Sequence, residues 1–228
     1  MRQLPLGVRL PGYAVFDSFA QGENSEAVSF LRSRNPTPLW LFGAPGMGKT
    51  HLLQAACTDS GASAAYLPLK AATRLPPDAL HGFERSRLVC LDDVQAVAGD
   101  PAWESALFAF FNAASDLGTR LVFAASAAPR QIDWRLHDWA SRAAACVIYG
   151  LKELDDAGRM EALKLRAAQR GLQLPPETAE YLLKRMPRDL PTLCRVLDEL
   201  DEAALVAQRR LTVPFIRNAL ETHADKGS

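Results

Sequence analysis

The sequence has no excess of charge of either sign and no long apolar run. Its 228 residues include 26 Lys+Arg and 26 Asp+Glu, so the formal net charge is zero. No overall positive field is therefore available for non-specific binding of nucleic acid. No apolar stretch approaches the ~18 residues of a membrane-spanning helix. We expect neither a membrane span nor a signal peptide, because no charged N-terminal region precedes an apolar stretch.

The sequence also lacks the cysteine spacing of a metal site or a disulfide framework. It contains no CxxC pair, and its four cysteines are Cys57, Cys90, Cys146 and Cys194. Their neighbours are mainly apolar, which favours buried, reduced thiols and a cytoplasmic location. The composition, with 48% hydrophobic and 23% charged residues, is that of a soluble globular protein.

Short apolar segments alternate with helical patterns over the first two-thirds of the chain. Five segments predict buried strands: 38–42, 64–69, 87–93, 120–126 and 145–150. They are short and rich in Val, Leu, Phe or Tyr, as is typical of parallel strands covered on both faces. Helical patterns lie between them, notably HLLQAACTD and AWESALFAFFNAASDLG, so the sequence predicts βαβ units and an α/β fold with a parallel sheet.

After Gly150 the strand patterns stop and only helical patterns follow. Asp155 or Asp156 is predicted to begin a helix that Gly171 closes. Three further helices are predicted, over 175–186, 189–210 and 212–221. We therefore predict an N-terminal peptide over 1–12, an α/β nucleotide-binding domain over 13–152 and a helical domain over 153–228.

The segment GAPGMGKT matches the phosphate-binding pattern G-x-x-x-x-G-K-[ST], between a predicted strand and a predicted helix. Its glycines let backbone N–H groups wrap around phosphates, and the helix N-terminus adds a favourable dipole. Lys49 is predicted to reach the terminal phosphates, and the Thr50 hydroxyl to ligate Mg²⁺. The predicted loop consists of Gly43, Ala44, Pro45, Gly46, Met47, Gly48, Lys49 and Thr50.

Two acidic residues end the third predicted strand, in the segment RLVCLDD. Asp92 is predicted to hold Mg²⁺ through water, as P-loop chemistry requires at such a strand end. Asp93 is a candidate catalytic residue, at a position where many P-loop proteins carry a glutamate that orients the attacking water. Because the shorter Asp93 positions water less well, we expect slow intrinsic hydrolysis. The alternative is a pair of solvated acids in a turn.

Four segments resemble the DnaA/Hda family of AAA+ ATPases: GAPGMGKTHLLQAA, VCLDDVQAV, ASRAAACVIYGL and LKLRAAQRGLQLP. The resemblance extends over nearly the whole chain, beginning at Val15–Phe19. It implies an AAA+ P-loop fold with a five-stranded parallel sheet and a C-terminal helical lid. It also implies ADP or ATP with Mg²⁺ as ligands, and favours ADP.

The resemblance assigns roles to residues outside the loop. Arg142 matches the arginine finger that reaches into a neighbour's nucleotide site, and Arg188 matches the second sensor of the bound nucleotide. His51 joins the nucleotide-binding set, and Phe16 and Phe19 match the segment that leads to the adenine side of the pocket. For either arginine taken alone, the alternative is an ordinary solvated surface position.

One position departs from the family pattern. Relatives usually carry a polar or acidic first sensor after the fourth strand, where this chain offers only Ser126. Ser126 orients water more weakly, so slow intrinsic hydrolysis is expected on this ground too. We also expect no helix-turn-helix domain after the lid, and therefore no specific duplex recognition.

The N-terminal segment QLPLG resembles the clamp-binding peptides of bacterial replication proteins. Leu4 and Leu6 would fill an apolar pocket, Gln3 would hydrogen-bond at its rim, and Pro5 would lower the cost of ordering. The alternative is that the segment docks on the core of its own domain. The resemblance implies two partners, the DNA sliding clamp (the β subunit of DNA polymerase III) and the initiator DnaA, with DNA contacted mainly through the clamp.

These implications together describe a negative regulator of replication initiation. It would stimulate hydrolysis of initiator-bound ATP through the finger in trans, without itself being a fast ATPase. The alternatives are a helicase loader or other AAA+ protein of replication, and a stand-alone ATPase. AAA+ modules assemble head to tail, so nucleotide-dependent self-association is a further expectation.

Overall fold

The computed structural model describes residues 14–71, 76–207 and 211–224. The chain divides into two compact units, Glu23–Glu153 with the segment ending at Phe16, and Leu154–Ser228 with Asp17–Gly22. The division after Glu153 lies one residue beyond the boundary that the sequence suggests. Asp17–Gly22 belongs to the second unit, although the sequence predicts it to lie in the α/β domain over 13–152. The peptide expected over 1–12 lies outside the described residues.

The first unit is built on a five-stranded sheet whose neighbouring strands all run parallel. The strands are β1 (Leu39–Phe42), β2 (Ala64–Pro68), β3 (Leu88–Asp92), β4 (Arg120–Ala125) and β5 (Val147–Gly150). Their order in the sheet is β2-β3-β4-β1-β5. The predicted α/β fold with a five-stranded parallel sheet is confirmed, and each strand is one or two residues shorter than the predicted segment.

The α-helices in the described residues of the first unit are α1 (Ser25–Arg32), α2 (Lys49–Ser60), α3 (Pro101–Asp116) and α4 (His137–Ala144). The Asp100 side chain caps α3 by accepting from the N–H groups of Ala102 and Trp103. The sequence predicts α2 and α3 but does not predict α1 or α4. Both missed helices have only 8 residues, so their amphipathic pattern spans little more than two turns.

Aromatic side chains fill the core between the sheet and helices α3 and α4. Phe123 of β4 stacks on Trp40 of β1 at 5.7 Å between ring centroids and on Phe111 of α3 at 6.1 Å. Trp139 of α4 meets Phe123 edge to face at 5.7 Å. Each such pair adds about 1 kcal/mol beyond the burial of its area. This packing holds α4, the helix that carries Arg142, against α3.

The second unit contains the predicted helices: α5 (Asp156–Gln169), α6 (Pro176–Arg185), α7 (Leu190–Ala207) and α8 (Val213–Ala224). Asp155 caps α5 by accepting from the N–H of Gly158 at 2.7 Å. Leu163, Leu182, Leu197 and Ile216, one from each helix, are fully buried in its core. None of the helices in the described ranges combines the length and apolarity needed to cross a membrane.

Candidate nucleotide-binding site

The phosphate-binding loop joins the end of β1 to the start of α2. Gly46 and Gly48 have φ of +86° and +88°, in the left-handed region that favours glycine. The first hydrogen bond of α2 runs from the N–H of Leu52 to the carbonyl of Gly48 at 3.0 Å. The N–H groups ahead of Leu52 therefore have no acceptor within the helix, at its positive dipole end. This arrangement is suited to an anion such as phosphate.

Lys49 lies at the base of the loop with 8% of its surface exposed. Its ammonium donates to the carbonyl oxygens of Gly43 at 2.6 Å and Ala44 at 3.0 Å. Burial lowers the pKa of Lys49, while the charges of Asp92 and Asp93 oppose that shift. The structure thus brings a cation of the loop near the two acids at the end of β3.

Asp92 is 2% exposed and is surrounded by donors. Its Oδ2 accepts from the Thr50 hydroxyl at 2.6 Å and from the Tyr66 phenol at 2.8 Å. Its Oδ1 accepts from the backbone N–H of Asp93 at 2.9 Å. Burial, followed by the charge of Asp92, raises the pKa of Tyr66, so the phenol remains protonated and acts as a donor.

The donor set at Asp92 is compatible with magnesium. A carboxylate and a hydroxyl are the hard oxygen ligands that Mg²⁺ prefers, and Mg²⁺ usually takes its remaining ligands from water and phosphate. Within the part of the chain that the structure describes, no cluster of three or more His, Cys, Asp or Glu side chains could hold a metal ion by itself. An ion held by Thr50 and Asp92 would therefore depend on nucleotide phosphates and water for most of its coordination.

Asp93 is linked to the end of β4 through Gln95. Asp93 has a φ of +55°, an unusual conformation for a non-glycine residue that Asp tolerates. The Gln95 side-chain amide donates to Asp93 Oδ1 at 3.2 Å and accepts from the backbone N–H of Ser126 at 3.1 Å. One side chain thus bridges the second acid and the residue in the first-sensor position.

Arg142 is exposed near the end of α4. Its guanidinium carbon lies 5.9 Å from the ring centroid of Phe111 in α3, within the range of a cation–π contact. The guanidinium therefore lies at the surface of the first unit, against the ring of Phe111.

The remaining predicted residues are distributed over both units. The His51 ring nitrogen Nε2 lies 2.9 Å from the carbonyl oxygen of Val15 and so ties α2 to the segment before Phe16. Phe16 is buried in the first unit, whereas Phe19 belongs to the second. Arg188, also in the second unit, lies 3.5 Å from a carboxylate oxygen of Asp156 with 68% of its side chain exposed. Gln3, Leu4, Pro5 and Leu6 lie outside the described residues.

Sequence reasoning missed Tyr66 and Gln95. Tyr66 lies on β2, and only the order of the strands places β2 beside β3. Gln95 follows Asp93 by two residues, which was a local signal, but its second partner Ser126 is 31 residues away. Neither residue belongs to a nucleotide-binding motif.

The fold is similar to that of several solved proteins. Domain III of the replication initiation protein DnaA from Thermotoga maritima matches with a TM-score of 0.79 and 20% identity, over 94% of this chain and 98% of that chain. AMPPCP-bound DnaA from Aquifex aeolicus matches at 0.72 and 21% identity, over 96% and 72% of the two chains. The Holliday junction branch migration motor RuvB from Thermotoga maritima matches at 0.71 and 16% identity, over 93% and 72%. Because all three identities are below 25%, these matches show only that the proteins share a fold with this chain.

Part of the chain also matches the sequence model of a protein family. Residues 156–220, which hold α5, α6, α7 and most of α8, match the model described as the lid domain of Hda. The matched segment includes Arg188 and the salt bridges of Arg166 and Arg170 with Asp198. The second unit is thus similar to the lid domain of Hda, and the chain shares the fold of DnaA domain III over most of its length.

Proposed function

We propose that the chain is a nucleotide-binding regulator that restrains replication initiation. In this proposal it docks on the DNA sliding clamp through Gln3, Leu4, Pro5 and Leu6 and presents Arg142 to the ATP bound by the initiator DnaA. DNA is then contacted mainly through the clamp. The observation that carries the proposal is the match of residues 156–220 to the Hda lid domain, because it relates the chain to a DnaA-associated family.

The proposed ligand of the first unit is an adenine nucleotide, with ADP as the working form. The glycine loop, the dipole end of α2 and the buried Lys49 support phosphate binding, and the similar DnaA from Aquifex aeolicus is AMPPCP-bound. Thr50 and Asp92 would hold Mg²⁺, which when bound supplies positive charge to the β- and γ-phosphates. We propose that Arg188, in the lid, senses the nucleotide. His51 is proposed to position the segment at Val15 beside the nucleotide.

Arg142 is the residue that we assign to hydrolysis of the initiator's ATP. A guanidinium stabilises the charge on a transferring phosphoryl group, and a finger supplied in trans contributes ~10³–10⁵ in rate. The exposure of Arg142 and the contact of its guanidinium with Phe111 support this role, since the charge lies at the surface and is held by a cation–π contact. The regulator itself then needs little ATPase activity, in keeping with the short Asp93 and the weak sensor Ser126.

The finger assignment is tested by replacing Arg142 with Ala. DnaA-bound radiolabelled ATP is incubated with the clamp loaded on DNA and with either wild type or variant, and conversion to ADP is measured. Arg85→Ala is the matched control, because Arg85 is another exposed arginine of the same unit. We expect stimulation to fall to the level without regulator for Arg142→Ala only. Undiminished stimulation by Arg142→Ala would remove the finger from the proposal.

Docking on the clamp is tested separately by direct binding measurements. A Gln3→Ala, Leu4→Ala double variant is compared with a Val8→Ala, Leu10→Ala variant, which removes apolar groups of the same segment outside the QLPLG pattern. We expect only the first to lose affinity for the purified clamp. Equal affinities would refute the peptide assignment. Binding to the replicative helicase in place of the clamp would favour a loader-like protein. Fast ATP turnover by the chain alone would favour a stand-alone ATPase.

A further inference from the structure

Two hydroxyl groups from different elements converge on one oxygen atom of Asp92. Thr50 of α2 donates to Oδ2 at 2.6 Å, and Tyr66 of β2 donates to the same atom at 2.8 Å. Thr50 belongs to the phosphate-binding motif, so its position there follows from the loop. Tyr66 belongs to no such motif, and its contact with Asp92 requires another explanation.

The register of the sheet explains how Tyr66 reaches Asp92. Strands β2 and β3 pair in parallel, with Tyr66 opposite Cys90 and Pro68 opposite Asp92. Tyr66 and Asp92 are therefore diagonal neighbours on adjacent strands, and the long phenol side chain spans the offset. A shorter residue at position 66 would leave Oδ2 with Thr50 as its donor.

The contact is buried. Tyr66 is 8% exposed and Asp92 is 2% exposed, so the contact is shielded from bulk water. The same oxygen of Asp92 also accepts from Thr50 of α2. A satisfied, buried network of this kind fixes the orientation of its members. The carboxylate plane of Asp92 is thereby set by three elements, α2, β2 and β3.

We propose that Tyr66 is a positioning residue for magnesium, which orients the Asp92 carboxylate so that it and the Thr50 hydroxyl face the ion together. The inference rests on the proposed nucleotide binding by the first unit. Residues that hydrogen-bond a ligating carboxylate orient it and tune affinity for the metal, and their loss typically costs 10–100-fold in metal affinity. A purely structural tyrosine would affect the stability of the fold without changing the dependence of nucleotide binding on Mg²⁺.

The test uses the Tyr66→Phe variant, which keeps the packed ring and removes only the hydroxyl. Binding of ADP carrying a fluorescent methylanthraniloyl group is measured with increasing MgCl₂ and, separately, in excess EDTA. We expect the Mg²⁺ concentration for half-maximal enhancement of ADP affinity to rise about tenfold, the lower end of the range, because Asp92 would act through water. Affinity in EDTA should equal that of wild type.

Two further variants make the outcomes distinguishable. Tyr149→Phe, on β5 against Phe30 at 5.7 Å, removes a hydroxyl elsewhere in the same sheet and should leave the Mg²⁺ dependence unchanged. Asp92→Asn should lose most of that dependence. An unchanged Mg²⁺ response of Tyr66→Phe beside a lost response of Asp92→Asn would overturn the role of Tyr66 and leave the nucleotide site standing. If wild type shows no Mg²⁺-dependent ADP binding, the magnesium site and the role of Tyr66 both fail.

Further measurements distinguish an effect of Tyr66 on the position of Asp92 from an effect on the folding of the protein. Circular dichroism spectra and thermal midpoints of Tyr66→Phe and Tyr149→Phe are compared with those of wild type. Equal loss of ADP affinity in EDTA and in MgCl₂ would show that Tyr66 supports the shape of the site and would overturn its role toward magnesium. A shift confined to MgCl₂ supports the proposal.

Discussion

Glu104 in α3 accepts a hydrogen bond from the backbone N–H of Leu136, with the two atoms 2.6 Å apart. Leu136 is the N-cap residue of α4, the helix that carries Arg142. The other oxygen of the same carboxylate accepts from the N–H of Gly99 at 2.7 Å. Glu104 is fully buried, so this one carboxylate satisfies two backbone donors and connects the loops that precede α3 and α4.

Replacing Glu104 with Ala should destabilise the protein by about 2–4 kcal/mol, because two N–H groups lose their acceptor in a buried site. The free energy of unfolding is measured by chemical denaturation monitored by circular dichroism. Asp116→Ala serves as the control, since Asp116 is an exposed acid of the same helix and its loss should change stability by less than about 0.5 kcal/mol. Equal stability of the two variants would show that other contacts hold α4.

Replacing Gln95 with Ala should slow intrinsic ATP hydrolysis several-fold without changing nucleotide affinity. The substitution removes the amide that holds Asp93 and bridges it to Ser126, and positioned groups account for most of phosphoryl-transfer catalysis. Single-turnover hydrolysis and ADP binding are measured in parallel. Gln131→Ala is the control, because the Gln131 amide likewise accepts from a backbone N–H, that of Ala128 at 3.0 Å. Unchanged hydrolysis in Gln95→Ala would mean that the backbone alone positions Asp93.

Arg188 and Arg195 form a matched pair for the sensor assignment. Their side chains are 68% and 66% exposed, and each forms an ion pair in the second unit, at 3.5 Å with Asp156 and at 3.1 Å with Glu199. Neither Ala variant should change stability by more than about 0.5 kcal/mol. We expect Arg188→Ala alone to weaken ADP or ATP binding, by about tenfold for one charge-assisted contact. Calorimetric titration checks this, and equal affinities would contradict the sensor role.

The stability of the fold should decrease above pH 9.0 in part because of Cys146. Burial raises the pKa of its thiol from 9.0 to about 12. Between these values the unfolded chain has released the thiol proton and the folded chain retains it, so stability is full below pH 9.0 and falls as pH rises. The slope from this group reaches ~1.4 kcal/mol per pH unit.

The Cys146→Ala variant isolates that contribution. Unfolding free energies of wild type and variant are measured across the alkaline range, and the wild-type curve should be the steeper. Ser141→Ala, an exposed neighbour on α4 without a titrating group in this range, should follow wild type. Parallel curves for wild type and Cys146→Ala would show that the thiol ionises in the folded protein near its ordinary pKa.

The elements with strong local patterns were predictable, and the short ones were not. All five strands were recognised because each is a continuous apolar run, and α5 was bounded by the capping Asp155 and by Gly171, whose φ is +73°. Helices α1 and α4 have 8 residues each and were missed. Their stability comes from tertiary contacts, such as the burial of Trp139 and the Glu104 bond at the start of α4.

The sequence by itself determined the phosphate-binding loop, because its glycines, Lys49 and Thr50 act through the backbone conformation of eight consecutive residues. It also determined the five strands and the longer helices, which have a clear local periodicity. Only the tertiary structure decided what surrounds Asp92. Thr50 is 42 residues away and reaches Asp92 because α2 packs against β3. Tyr66 is 26 residues away and reaches Asp92 because β2 lies beside β3 in the sheet. Strand order follows from the packing of the whole sheet, so no local pattern specifies it.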